Sequence, residues 1–68
     1  MSQIRLNDTD EDILEILAEG RNVPSNIADE LGFTRQYVQR RLSRFEENGY
    51  IRNVGRGLYE LVDDPREV

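Results

Sequence analysis

Apolar residues recur along this chain at two spacings, and the switch between them divides it into a helical part and a strand part. Ile13, Leu14, Ile16 and Leu17 form one stripe at helical period. Ile27, Ala28 and Leu31 form a second, and Val38, Leu42 and Phe45 a third. At about 100° per residue each set falls on one side of a helix. After Gly49 the period drops to two, in Tyr50-Ile51-Arg52-Asn53-Val54 and again in Leu58-Tyr59-Glu60-Leu61-Val62. The pattern predicts three helices followed by a small antiparallel β-hairpin, a mostly α fold in one domain.

Local chemistry places the boundaries. Asn7 is a good N-cap and Asp10, three residues on, can return the bond, while Thr9 with Asp12 offers an alternative box. The first helix is expected over about 8–19, with Gly20 as its stop. Residues 21–23 form a connector, at most a single-bridge strand. Pro24 suits a first helical position, where its missing N–H is not needed, and opens a two-turn helix to Leu31 that buries Ile27, Ala28 and Leu31. Gly32 ends it. Phe33-Thr34 is the turn, and Thr34 caps the third helix, which runs to Asn48 and stops at Gly49. Gly55-Arg56-Gly57 permits the positive φ angles of a tight hairpin. Asp63-Asp64-Pro65 closes the fold, and the last residues are expected to fray.

The third helix carries the candidate chemistry. Opposite its apolar seam lie Gln36, Arg40 and Ser43, with Tyr37, Gln39 and Arg44 on the shoulders. Arginine and glutamine are the side chains that make paired hydrogen bonds to guanine and adenine edges in the major groove. Solvated helices also carry arginines, so the rest of the chain has to decide.

Composition narrows the choice. The 68 residues contain neither cysteine nor histidine. That removes disulfides, thiolate metal sites, the usual zinc ligand and the usual general base. So small a chain has little room for a substrate pocket, and neither catalysis nor a cofactor is expected. The N-terminus lacks the apolar run of a secretory signal and no stretch approaches membrane-spanning length, so a soluble, cytoplasmic protein is expected. Charge is segregated. Residues 1–33 hold two arginines against eight acids, a net −6, whereas residues 34–57 hold six arginines against two acids, a net +4. Residues 58–68 are at −3, giving −5 in all. An acidic chain with one positive stripe carries a local footprint for nucleic acid. All nine basic residues are arginine. Acid-rich, lysine-free composition resembles that of proteins from salt-accumulating archaea.

Helix, short helix, turn, longer helix and hairpin, with Ala28 where helices approach and Gly32 at the turn, fit the helix-turn-helix pattern. The chain resembles a winged helix-turn-helix DNA-binding domain and, more narrowly, the small haloarchaeal phi-H phage repressor-like winged helix proteins. The carriers are Asp12-Ile13-Leu14-Glu15-Ile16-Leu17, Ile27-Ala28-Asp29-Glu30-Leu31-Gly32, Glu46-Glu47-Asn48-Gly49-Tyr50-Ile51 and Val54-Gly55-Arg56-Gly57-Leu58-Tyr59-Glu60-Leu61. The likeness spans about residues 6–62, with a very short wing.

This resemblance implies transcriptional regulation by binding double-stranded DNA, with repression the expected mode and a homodimer the common assembly. It implies groove-facing roles for Thr34, Arg35, Gln36, Tyr37, Gln39, Arg40 and Arg44, and a wing-tip role for Arg56. Among these, Arg40 and Gln36 suit base edges. Arg35 and Tyr37 can reach a base or a phosphate, and Arg44 a phosphate further along. Arg56 can lie over the minor groove or simply in solvent, and Tyr37 can instead pack against the second helix. Arg41 borders the seam and is expected to pair with an acid of the first helix. Tyr50, Tyr59, Phe33 and Phe45 are expected in the core. Ile4, Leu6 and the edge of the first helix, or Leu61-Val62, are candidate dimer contacts. No effector-binding domain is visible, so no small-molecule effector is expected. The competing class is a winged-helix protein-interaction module that uses the third helix or the acidic first helix without binding DNA.

Overall fold

The computed structural model describes residues 5–66. The expectations for Ile4 and for the chain end at 67–68 lie outside them. Three helices, α1 (Asp8–Glu19), α2 (Pro24–Leu31) and α3 (Arg35–Glu47), precede strands β1 (Ile51–Asn53) and β2 (Tyr59–Leu61), which pair antiparallel. No helix among the described residues is long and apolar enough to cross a membrane.

Local caps set the helix ends. Asn7 Oδ1 accepts from the Asp10 N–H at 2.7 Å, and Asp10 Oδ2 accepts from the Asn7 N–H at 3.1 Å, so Asn7 with Asp10 forms the box. Gly32 closes α2 at φ 77°. In that conformation the N–H groups of Gly32 and Phe33 both reach the Ala28 carbonyl, at 2.8 and 3.0 Å. A β-carbon there would meet its own backbone at a cost of about 1–2 kcal/mol, hence glycine. Thr34 Oγ1 then accepts from the Tyr37 N–H at 3.1 Å and starts α3.

The core is one cluster: Ile13, Leu14 and Leu17 of α1, Ile27 and Ala28 of α2, Val38, Leu42 and Phe45 of α3, and Tyr50, Ile51 and Tyr59. Tyr50 and Tyr59 are therefore packing residues. Leu31 and Ile16 are only half-buried, at the cluster's edge. Phe33 departs from expectation: it is 42 % exposed. It precedes the Thr34 cap, and the space beneath α3 is filled by Val38, Leu42 and Phe45. Its ring rests instead on Tyr37, centroids 5.3 Å apart and planes at 44°.

The strands are three residues long rather than five, in register Ile51↔Leu61, Arg52↔Glu60 and Asn53↔Tyr59. The Tyr50 carbonyl accepts from both Val62 and Asp63, which ends the ladder. Asn22 adds a single bridge on the other side of β2, exchanging bonds of 3.0 and 2.8 Å with Tyr59.

One ion pair fixes α3 to α1. Arg41 Nε and Nη2 donate to the two oxygens of the fully buried Asp10, each at 2.6 Å. Hydrogen bonding to that carboxylate holds the guanidinium above its ordinary pKa. Arg66 bonds Asp64 and Glu15 and fastens residues 64–66 to α1. The Arg66 guanidinium also holds the Asp64 carboxyl below its usual range.

Candidate nucleic-acid interface

The eight arginines from Arg21 onward sort into two groups. Arg21 and Arg52 share Glu60, at 2.8 and 2.9 Å, and these two hydrogen bonds lower the Glu60 pKa. Arg41 is held by Asp10, and Arg66 by Asp64 and Glu15. Among the described residues, Arg35, Arg40, Arg44 and Arg56 have no carboxylate within 4.0 Å. All four are exposed, three on α3 and one at the hairpin tip. The positive stretch is thus made of unneutralised guanidiniums where groove contact was expected, while Arg41 and Arg52 are already paired with acids.

The α3 period builds this face. With Val38, Leu42 and Phe45 buried, Gln36 and Arg40 emerge on the far side and Arg44 beside them, while Arg35 is exposed as the first residue of the helix. Arg35, Gln36, Gln39 and Arg40 line a shallow concavity of about 290 Å³. Ser43 is half-buried, so it does not join the open face. Thr34 is exposed, with its hydroxyl oxygen already capping the helix. Tyr37 is half-buried, packed against both the core and Phe33.

Gln39 is tied to the sheet. Its Nε2 donates to the Tyr59 hydroxyl at 3.0 Å. Tyr59 also holds Asn22 through its backbone, so one residue joins α3, the α1–α2 connector and the hairpin. The Gln39 partner lies twenty residues away; the only sequence signal was its shoulder position beside the apolar seam. Asn53 has a role of its own, accepting from the Gly55 N–H at 2.8 Å and opening the turn.

Gly55, Arg56 and Gly57 have φ values of 130°, 54° and 75°. The Leu58 N–H bonds the Gly55 carbonyl at 3.0 Å, closing a tight turn with two left-handed central residues. Arg56 is the only non-glycine residue with positive φ among those described. That conformation costs an ordinary side chain about 1 kcal/mol, and asparagine less. Arg56→Asn is accordingly expected to raise stability by up to about 1 kcal/mol, read from the urea midpoint. A lowered midpoint would show that Arg56 supports the fold.

In chemical terms α3 offers three guanidiniums and an amide at Gln36, and the hairpin tip offers a fourth guanidinium. These are donors suited to phosphates and base edges. The sequence matches, over residues 6–52, the family model described as winged helix-turn-helix DNA-binding, a span covering all three helices and most of β1. No curated protein and no solved structure matches the chain. With that match over most of its length, a turn at Gly32 between α2 and α3, and a two-stranded hairpin behind them, the chain belongs to the winged helix-turn-helix DNA-binding family.

Proposed function

We propose that this DNA-binding regulator reads a specific duplex sequence through α3 in the major groove and acts as a repressor. One observation carries the reading: apart from Arg5, ahead of α1, the arginines without an acidic partner among the described residues are three exposed on α3 and one at the wing tip. An unpaired guanidinium can turn toward DNA without giving up a partner, whereas a paired one would first have to lose its carboxylate. Arg40 and Gln36 contact base edges. Arg35 and Tyr37 sit at the entry to the groove with Thr34, and Arg44 reaches a phosphate. Arg56, kept at a backbone position that disfavours it, lies over the minor groove. Gln39 contributes by holding the wing against α3. The site is completed by a second copy, because one recognition helix covers few base pairs. Half-buried Leu6 and Leu61 with exposed Val62 supply apolar contact for that homodimer.

The lysine-free acidic composition supports the narrower likeness to haloarchaeal phi-H repressor-like regulators working in a salt-rich cytoplasm. Counterion release weakens phosphate contacts with a slope of about −0.9 per phosphate on log salt. In molar salt, base contacts and shape must therefore dominate. The acidic surface takes up cations as DNA approaches, flattening or reversing that slope.

Fluorescence anisotropy against the chain's own upstream DNA and a scrambled duplex, from low to molar KCl, tests the reading. Tighter binding to the native sequence at molar KCl is expected. A steep negative slope throughout would remove the salt adaptation. Absent or equal binding to both duplexes, with the protein folded by circular dichroism, would favour the protein-interaction role.

A further inference from the structure

Phe33 stands apart from the rest of the apolar inventory. Among the described residues three large apolar side chains are exposed, Phe33, Val54 and Val62, and of these Phe33 alone is aromatic and lies just before α3. Its ring is held against Tyr37 at 5.3 Å, so the exposed face belongs to a supported pair rather than a loose side chain. Residues three and four apart share a helix face. Tyr37, Arg40 and Arg44 form one such row, and Phe33, ahead of the Thr34 cap and outside the helix, joins its head through the ring contact with Tyr37. The apolar pair therefore heads the same row that carries two unpaired guanidiniums. In a helix-turn-helix protein the N-terminal residues of the second helix are those placed at base edges.

The major groove displays one apolar group, the C5-methyl of thymine, among hydrogen-bonding atoms. A phenyl ring at the groove entrance has no polar atom with which to bond those other edges. We propose that the Phe33–Tyr37 pair reads the 5-methyl group of a pyrimidine, giving the protein a preference for thymine at the base step facing the start of α3. The inference rests on DNA binding through α3. It adds a site residue, Phe33, that packing arguments assigned to the core. Phe33 supplies the contact surface, and Tyr37, half-buried beneath it, holds the ring in place.

Replacing thymine by deoxyuridine removes the methyl and leaves every hydrogen-bonding atom. The probe is a duplex enriched by the full chain from a random pool, with each thymine exchanged in turn for uracil. Wild-type protein is expected to lose about fourfold in affinity at one or two exchanged positions, the worth of one buried methyl. Phe33→Ala is expected to bind thymine and uracil duplexes equally, and Phe33→Leu, still apolar, to keep part of the preference. Indifference of the wild type to every exchange would overturn the proposal while leaving sequence-specific binding intact. So would Phe33→Ala that keeps the thymine preference, or that loses equally on both duplexes, as a contact to deoxyribose would. Failure of the wild type to prefer its enriched duplex over a scrambled one would remove the DNA reading and this inference together. Should Phe33→Ala not fold by circular dichroism, the wild-type and Phe33→Leu comparisons decide.

Discussion

Replacing Arg41 by methionine is expected to destabilise the domain by about 3 kcal/mol, an effect comparable with emptying a core position of α3. The substitution keeps most of the packed volume and removes only the guanidinium. Asp10, with no exposed surface, would be left with a single backbone donor, the Asn7 N–H, for a carboxylate that now receives three hydrogen bonds. Breaking a buried pair from one side costs about 3–5 kcal/mol, because the remaining charge is uncompensated. The lower end applies here, since the Arg41 side chain keeps 19 % exposure and water can follow it in. A chain of this size has about 3–10 kcal/mol in hand, so the loss removes about a third of its stability or more, and urea denaturation should find a strongly lowered midpoint. Asp10→Asn is expected to cost less, because a neutral amide is cheaper to leave underbonded and Arg41 can turn outward. The double variant should be more stable than Arg41→Met alone, since no buried charge remains. If the double variant were the less stable of the two, the loss would come from packing, and the ion-pair argument would fail.

That pair also marks how far the sequence could be read. Arg41 borders the apolar seam, and the first turn of α1 is rich in acids, so its partner helix was legible. The choice of Asp10 was not, because it depends on the angle at which α1 crosses α3. Helix ends were legible for a related reason: Asn7 with Asp10, Pro24, Gly32 and Thr34 each act through neighbours within four residues. The exposed row of α3 followed from its period in the same way, since burying Val38, Leu42 and Phe45 leaves Arg40 and Gln36 no other side. The departures involve longer range or divided preferences. Gln39 meets a hydroxyl on β2, and no local pattern encodes that distance. Phe33, one residue before the cap, can turn toward Val38 or toward Tyr37, and the filled core favours Tyr37. Strand length was overestimated because alternation continues through Tyr50 and Val62, although the Tyr50 carbonyl is already shared between two donors.

Arg40→Ala is expected to be the most damaging single change for DNA binding, lowering affinity about 5- to 150-fold, or about 1–3 kcal/mol. The residue is exposed, opposite the buried seam, and without an acidic partner among the described residues, so its removal costs the free protein little. The measured change is then mostly lost contact. A paired donor fork on a base edge discriminates as well as binds. Anisotropy against single-base variants of the target should therefore show preference relaxed at one base pair and retained elsewhere. Arg44→Ala should act differently, weakening all sequences alike and making the salt dependence shallower by about 0.9 on the log–log scale, as loss of one phosphate contact does. Arg52→Ala serves as the control. It removes the same charge from the same positive stretch, but its guanidinium is engaged by Glu60 on the hairpin. If affinity followed net charge alone, Arg40, Arg44 and Arg52 would be equivalent. If α3 docks as proposed, Arg52→Ala binds like the wild type and only Arg40→Ala loses sequence preference. Arg40→Ala that still folds and still prefers the target by the wild-type margin would remove Arg40 from the groove, and with it this orientation of α3.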